Sequence, residues 1–165
     1  MQGILQPSKI DILQDEIKQV VQFNGLSQEL TKFREVVLDG HAFLEEMLQS
    51  ILTKHLFKTA HGKSKRGYNS TYSSFREMCA EFVQEFTFHK LISIAHQFGI
   101  ISDDVKRQLN SVSRARNLMV HQLGRGYLVF EDEGLREYTL GAIKNLLTEL
   151  SGIDRGYKIL ELPQN

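Results

Sequence analysis

The stretch SDDVKRQLNSVSRARNLMVH, residues 102–121, has the pattern of one amphipathic helix and indicates the fold class of the chain. Ser102 is a favourable N-cap residue, and the acidic Asp103 and Asp104 suit the positive end of a helix dipole. At about 100° per residue, one apolar stripe follows, formed by Val105, Leu109, Val112 and Met119. Such a stripe is stable only when other elements cover it, so the segment predicts a helical bundle.

The rest of the chain predicts more helices of the same kind. With the first stretch included, the predicted helices are residues 8–23, 27–57, 75–98, 102–121 and 133–150. Poor helix formers at 86–88 divide the third segment, and Gly40 marks a close packing contact or a bend in the second. Residues 127–130 predict a short extended piece, and residues 151–165 a tail.

The N-terminal predicted helix, residues 8–23, is amphipathic in its own right. Ser8 is its expected N-cap, and Asn24-Gly25 is its expected end. Its apolar face consists of Ile10, Leu13, Ile17, Val20 and Val21.

These segments together predict a single all-α domain over residues 1–165, with a core at about 8–150. The expected architecture is an up-and-down-like bundle of about five helices. A chain of 165 residues is long enough to bury a core of this kind.

The composition excludes several classes of protein. Lys plus Arg and Asp plus Glu balance at 20 each, so no overall field favours nucleic acid or a membrane, although a local basic patch remains compatible. A single cysteine, Cys79, gives no disulfide framework and suits a reducing compartment. No apolar run is long enough to span a bilayer, and the first residues lack a signal-peptide pattern. We therefore expect a soluble cytoplasmic protein with no membrane partner.

Four polar residues near the end of the 102–121 helix carry the chemistry that the sequence offers. Arg116 falls in the middle of the apolar stripe, where an arginine is costly unless it is paired or lines a wet cavity or an interface. Arg114, Asn117 and His121 share the adjacent face. Arg116 and His121 stand roughly 140° apart on an ideal helix. They converge on one ligand only if the helix ends or distorts near Met119, or if a second subunit completes the site.

Those residue types suit cleavage of RNA. A histidine titrating near neutrality exchanges a proton with the ribose 2′-hydroxyl or the leaving 5′-oxygen. An arginine holds the phosphate and stabilises its developing charge. The attacking group belongs to the substrate, so this reaction requires neither a metal nor a cofactor.

A purely structural interpretation of the same residues stands beside the catalytic one. Arg116 would then pair with a carboxylate of the 27–57 helix, for which Asp39, Glu45 and Glu46 are candidates. His121 would only interact with the carbonyl groups at its helix C-terminus.

The segment RNLMVH, residues 116–121, resembles the R-N-x-x-x-H motif of the HEPN superfamily of ribonuclease-like helical domains. In many members, a helix similar to residues 36–48 precedes the motif helix. A segment similar to residues 86–95, followed by one similar to 99–101, leads into it. The likeness covers about residues 30–150.

The resemblance implies a four- or five-helix bundle, commonly a homodimer with the motif residues at the interface. Many members are metal-independent endoribonucleases of toxin–antitoxin, phage-defence or RNA-processing systems, so RNA and a protein antitoxin are implied partners. By position, Arg116 would bind the scissile phosphate, His121 would be the acid–base group and Asn117 would assist. A polar residue of the second helix often supports the site, and Glu45 or Asp39 matches it.

A non-catalytic function is the alternative. Some members of the superfamily are inactive binding or scaffold proteins, and the motif does not separate them. The chain also resembles, more faintly, mannitol operon repressor-like proteins, which share a similar helix order. That likeness implies a transcriptional regulator or an interaction module.

A basic loop offers a second place for RNA. Lys63, Lys65 and Arg66 lie beside Tyr68, a combination that holds a phosphate backbone and stacks a base. Together with Arg114 these cations are the predicted RNA-binding residues. An exposed basic loop is also common in proteins that bind no nucleic acid.

The six histidines are scattered and do not predict a metal site. His89 and His96 share a helix face but stand two turns apart, and neither H-E-x-x-H nor C-x-x-C occurs. We expect both to be ordinary surface or boundary residues.

Overall fold

The computed structural model describes residues 26–61, 71–121 and 128–157. Its helices are α1 (Leu26–His61), α2 (Thr71–Gln84), α3 (Phe88–Gln97), α4 (Asp103–His121) and α5 (Glu133–Gly156). Within these three ranges no strand occurs, which confirms the all-α prediction. The predicted N-terminal helix and the basic loop residues Lys63, Lys65 and Arg66 lie outside the described residues.

Helix α1 is the centre of the bundle. Its 36 residues extend over about 54 Å, and it packs against each of the other four helices. Its buried apolar side chains recur at spacings of mainly three and four residues: Phe33, Val36, Val37, Leu44, Met47, Leu48, Ile51, Leu52 and Phe57. A helix that is covered from several sides needs such a broad apolar surface, which explains its composition.

Ring contacts give the direction of α3 relative to α1. The ring of Phe88, at the start of α3, lies 4.3 Å from the ring of His41, centroid to centroid. Phe98, just after the end of α3, stacks on His55 at 5.1 Å. The two helices are therefore parallel. Helix α2 connects the far end of α1 to the start of α3 and packs on α1, so it runs in the opposite direction.

Helix α4 runs back along α1, because it follows the end of α3 and brings Arg116 to the level of His41 and Glu45. Helix α5 is parallel to α1 again. The contacts that show this pair Gly40 with Ile143 and Ser50 with Asp154. Successive helices thus alternate in direction, as the up-and-down prediction requires.

The predicted division of the 75–98 segment is confirmed. Helix α2 ends at Gln84, and Thr87 caps α3 by accepting a hydrogen bond from the Lys90 amide at 3.4 Å. Gly99 ends this helical region with a φ of +67°, a conformation that favours glycine, and the Ile100 amide bonds back to the Ala95 carbonyl at 2.9 Å.

The prediction of an extended piece at 127–130 is wrong for the residues described. Residues 128–131 form a helical turn, while Tyr127 lies outside the described part. Phe130 is 3% exposed and its ring centroid lies 5.7 Å from that of Phe33. Four apolar residues are too few to separate a strand from a helical turn, and packing against α1 decides the conformation.

The prediction of a tail after Gly152 is wrong up to residue 157. Helix α5 continues to Gly156 and is anchored to α1 by polar contacts. The Lys54 ammonium donates to both carboxylate oxygens of Asp154 at 2.7 and 2.8 Å, and the Ser50 hydroxyl donates to one of them at 3.0 Å. The Tyr157 hydroxyl lies 3.0 Å from Nδ1 of His55. The apolar spacing continues from Leu150 to Ile153 and Tyr157, which pack against the core, so the tail prediction missed this apolar signal as well as the polar anchors.

Gly40 marks a close packing contact, one of the two roles that its position predicted. A β-carbon at this position would lie 2.9 Å from Cγ2 of Ile143, closer than side-chain contacts allow. The missing side chain therefore lets α1 and α5 approach each other at this level.

Across the three described ranges, none of the helices combines the length and the apolarity that crossing a bilayer requires.

Candidate functional site

Helix α4 positions the motif residues, and it is regular to its end. The Ser102 hydroxyl accepts a hydrogen bond from the Val105 amide at 3.3 Å, which is the predicted N-cap. The helix then continues without a break through Met119 to His121. The distortion near Met119 that would bring Arg116 and His121 together in one chain does not occur.

Arg116 lies at the border between α4 and α1. The stripe position next to it is taken by Ala115, which is 4% exposed, whereas Arg116 is partly exposed. Arg116 therefore sits at the edge of the buried face, not in its middle as the helical wheel predicted. A guanidinium at such an edge keeps contact with water while its charge acts on the neighbouring helix.

The Arg116 charge affects the pKa of two side chains of α1. Burial, and then the Arg116 charge, lower the pKa of His41 from 6.5 to about 4. For Glu45, burial raises the pKa, and the Arg116 charge opposes that rise. Nδ1 of His41 lies 4.0 Å from Oε2 of Glu45. These three residues form what we call the Arg116 cluster.

His41 is the member of the cluster that is packed most tightly. Its side chain is 12% exposed, and its ring lies against Phe88. With a pKa of about 4, the ring is neutral at pH 7 and offers one donor and one acceptor nitrogen. The sequence-based site did not include His41. The sequence does contain a signal for it. His41 comes four residues after Val37 and three before Leu44, and so lies on the buried stripe of α1.

The carboxylates that were predicted to support or pair with Arg116 differ in their exposure and in their proximity to it. Glu45 is partly buried and lies within the electrostatic reach of Arg116. Asp39 and Glu46 are exposed. Glu45 is therefore the carboxylate that belongs to the cluster.

Asn117 and Arg116 are brought together directly. Nη1 of Arg116 donates a hydrogen bond to Oδ1 of Asn117 at 3.1 Å. Asn117 is exposed, so this bond ties the guanidinium to the outer side of α4. The pair thereby presents N–H donors where a phosphate oxygen from solvent can reach them.

His121 stands apart from Arg116. Because α4 is regular, the two residues are separated by roughly 140° of rotation and about 7.5 Å of rise. His121 is exposed, on the side of α4 opposite the buried Val112. Arg114 and Asn117 are exposed on the same outer side. Arg114, Asn117 and His121 thus form one polar outer surface, and the hydrogen bond to Asn117 joins the Arg116 guanidinium to its edge.

The two histidines of α3, His89 and His96, differ in their surroundings. His96 lies 2.8 Å from a carboxylate oxygen of Asp103, and its other ring nitrogen lies 3.4 Å from the Lys106 ammonium. His89 is exposed. Among the residues that the structure describes, no three His, Cys, Asp or Glu side chains are grouped as metal ligands would be.

Comparisons of the chain with protein-family models, curated proteins and solved structures find no match.

The geometry offers two separate chemical elements. One is a guanidinium held by Asn117 and backed by a neutral imidazole and a half-buried carboxyl group. The other is an exposed imidazole at the end of the same helix. Arg116 and His121 leave the helix on different sides, but Asn117, which holds the guanidinium, lies one turn from His121 on the outer side, so the arrangement is compatible with a site within one chain and with a site across an interface.

Proposed function

We propose that this chain is a HEPN-like RNA-binding protein and acts as a metal-independent endoribonuclease, of the kind used in toxin–antitoxin, phage-defence or RNA-processing systems. The observation that carries the proposal is the tethered guanidinium of Arg116, joined to Asn117 in a segment that resembles the R-N-x-x-x-H motif. A polar surface with His121 and Arg114 adjoins it on the same helix.

The active form is a homodimer in which each site is composite. Arg116 and Asn117 of one chain would hold the scissile phosphate, and His121 of a second chain would approach it. The positions of Arg116 and His121 on different sides of α4 support this arrangement. A two-fold dimer produces two such sites, because each surface pairs with its own copy.

The reaction moves the phosphoryl group from the 5′-oxygen of the following nucleotide to the 2′-oxygen of the preceding ribose. The 2′-oxygen loses its proton to an imidazole and forms a bond to phosphorus, while the bond from phosphorus to the 5′-oxygen breaks. The leaving 5′-oxygen takes up a proton, and the other product ends in a 2′,3′-cyclic phosphate. His121 would carry the proton exchange, and Arg116 would stabilise the charge on the phosphoryl oxygens. Lys63, Lys65, Arg66 and Arg114 would bind the RNA backbone.

Incubation of the full chain with a mixed RNA pool in EDTA, with identification of the product ends, tests this function. Wild type should cleave and leave 2′,3′-cyclic phosphates, whereas His121→Ala should leave the RNA intact and keep the same thermal melting. Cleavage that persists in His121→Ala, or that occurs only without EDTA, would contradict the assigned mechanism. His89→Ala, an exposed histidine on α3, is the matched control and should cleave like wild type.

A second candidate function is a non-catalytic regulator or scaffold of the mannitol operon repressor-like or inactive HEPN kind. The favouring observation is the environment of Arg116, which interacts with His41 and Glu45 of α1 and so has a structural use. In that case RNA remains intact, and the exposed face with Arg114 and His121 binds operator DNA or a protein such as an antitoxin. Binding that Arg114→Ala weakens, without any RNA cleavage by wild type, would favour this function.

A further inference from the structure

Helix α2 carries an exposed ridge of large apolar side chains. Met78 and Phe82 are 56% and 54% exposed. They stand four positions apart in an unbroken helix, so their side chains are neighbours on its surface. The ring of Phe82 meets the ring of Phe86 in a T-shaped contact, with 4.9 Å between the centroids. Phe86 is partly buried and packs against the core. We call these three residues the α2 ridge.

The α2 ridge lies beside the face through which α2 packs on α1. That face includes Cys79 and Val83, which are 8% and 0% exposed. Met78 and Phe82 each directly precede one of these buried residues and therefore point about 100° away from it. Adjoining large apolar side chains that stay exposed in this way are typical of surfaces that bind another protein.

Negative charge accompanies the α2 ridge. Three of the nine residues from 77 to 85 are glutamates and none is Lys, Arg or His, although the whole chain has a formal net charge of zero. Glu81 and Glu85, which we call the acidic flank, are exposed and each directly precedes a residue of the α2 ridge. At the far end, the Lys90 ammonium lies 5.9 Å from the centroid of the Phe86 ring, so the acidic flank is confined to α2.

This combination of charge and apolar surface selects the kind of occupant. Carboxylates repel the RNA backbone, so the surface is not suited to RNA. A second copy of the chain docked through the same face would bring two acidic flanks to one interface, where like charges repel each other. A segment that carries apolar side chains beside Lys or Arg complements both features. Residues four positions apart form the type of ridge that fits the groove of another helix.

We propose that the α2 ridge and the acidic flank are the docking surface for a basic amphipathic helix of a partner protein. Apolar side chains of the partner would cover Met78 and Phe82, and its Lys or Arg side chains would pair with Glu81 and Glu85. The α2 ridge extends over about 12 Å, so two or three turns of the partner suffice and the contact is small and transient. This proposal does not depend on any activity on RNA.

A synthetic peptide tests the chemical preference of the surface. The probe is a labelled helix of about 14 residues with leucines on one face and lysines elsewhere, and its matched control has glutamates in place of the lysines. Fluorescence anisotropy with the full chain at low salt should show that the lysine peptide binds roughly tenfold more tightly or better. Met78→Ser/Phe82→Ser should raise its Kd by roughly tenfold or more, and Glu81→Gln/Glu85→Gln by roughly three- to tenfold.

A matched variant removes exposed apolar side chains from another helix. Leu135→Ser/Tyr138→Ser, on α5, should bind the lysine peptide like wild type. Equal affinity for the two peptides, no binding of the lysine peptide, or an equal loss in the α5 variant would overturn the proposal.

Thiol labelling determines whether the chain itself covers the α2 ridge. In a Cys79→Ala background, Met78→Cys should react with N-ethylmaleimide as fast as Thr148→Cys, at an exposed position of α5. A saturating amount of the lysine peptide should slow only Met78→Cys, by roughly tenfold. Slow labelling at every protein concentration would assign the α2 ridge to a segment of the same chain, and slow labelling only at high concentration would assign it to a second copy. Either result, or labelling that the peptide does not slow, would overturn the proposal.

Discussion

Nη1 of Arg116 donates a hydrogen bond to Oδ1 of Asn117, the next residue in the chain, across 3.1 Å. Neighbouring residues on a helix point about 100° apart, so this bond draws the guanidinium away from α1 and toward the exposed side of α4. In the proposed RNA site, Asn117 would therefore act as a positioning residue, which sets how the Arg116 guanidinium is shared between the His41–Glu45 pair and the bound phosphate.

Loss of this bond should weaken RNA binding. We expect Asn117→Ala to raise the Kd for a single-stranded RNA roughly three- to tenfold, because the guanidinium must then be ordered by the phosphate alone; tenfold corresponds to about 1.4 kcal/mol. Fluorescence anisotropy at fixed salt measures the change. Asn110→Ala, which removes an asparagine elsewhere on the same helix, should not alter the Kd, and an equal change in both variants would contradict the positioning role.

The depressed pKa of His41 predicts that stability falls in mild acid. The ring titrates at about 4 in the folded chain and at 6.5 when exposed, so between these values the unfolded chain binds more protons. The free energy of unfolding should therefore decline as pH falls from about 6.5 to about 4, by on the order of 2–3 kcal/mol from this group. The raised pKa of Glu45 acts in the opposite direction.

His41→Gln isolates the contribution of the histidine. This variant keeps Glu45 and Arg116, so its urea-unfolding free energies at pH 7, 6, 5 and 4 should change less than those of wild type. His89→Gln removes an exposed imidazole and should retain the wild-type profile. Parallel profiles for wild type and His41→Gln would show that His41 is not buried as a neutral ring.

The close approach at Gly40 predicts opposite effects of alanine at two glycines. Alanine is the better helix former by about 1 kcal/mol, so Gly141→Ala, which meets no atom within 4 Å, should stabilise the protein. At Gly40 the new methyl group meets Cγ2 of Ile143 at 2.9 Å, and the packing cost should exceed the gain. We expect the two variants to differ by about 1–3 kcal/mol in denaturant unfolding. Equal stabilisation by both would mean that α1 and α5 are not in contact at this level.

The end of α5 should depend on Asp154. Its carboxylate accepts hydrogen bonds from Lys54 and Ser50 in a partly buried position. Asp154→Asn removes the charge from these bonds and should cost about 1–2 kcal/mol, with faster hydrogen exchange over residues 150–157. Glu149→Gln, at an exposed position of the same helix, should stay within about 0.5 kcal/mol of wild type.

Apolar periodicity predicted the helices well where apolar residues recur at spacings of three and four along one face. The N-cap of α4 and the break near residue 86 were predicted, because Ser102 and the poor helix formers at 86–88 act locally. The turn at 128–131 was mispredicted because a contact with Phe33 determines it. The last residues of α5 were mispredicted because their polar partners lie on α1 and because the apolar Ile153 was overlooked. Local sequence does not contain these distant partners.

The sequence predicted which residues lie near one another at the candidate site better than it predicted how they are arranged. Arg116, Asn117 and Glu45 do lie near one another, although Arg116 is at the edge of the apolar face. His41 was missed because it occupies a position on the buried stripe of α1, and only the residue packed opposite it shows that it belongs to the site. That neighbour, Arg116, is 75 positions away in the chain.

A composite site predicts that two inactive variants restore each other. If the RNA cleavage proposed above occurs, Arg116→Ala and His121→Ala should each be inactive alone. When the two are mixed and allowed to exchange subunits, half of the dimers contain both chains, and each of these has one intact site. The mixture should recover about a quarter of the wild-type rate, because a two-fold dimer has two sites.

The matched control distinguishes a composite site from one contained in a single chain. An equal mixture of wild type with Arg116→Ala/His121→Ala should retain about a quarter of the wild-type rate if each site takes one residue from either chain, since mixed dimers then have no intact site. It should retain about half if both residues act within one chain. Recovery in the first mixture together with a quarter in the second would place Arg116 and His121 in one site across the interface. No recovery together with half would place Arg116 and His121 of one chain in the same site, with the guanidinium turned to the outer side of α4 through Asn117.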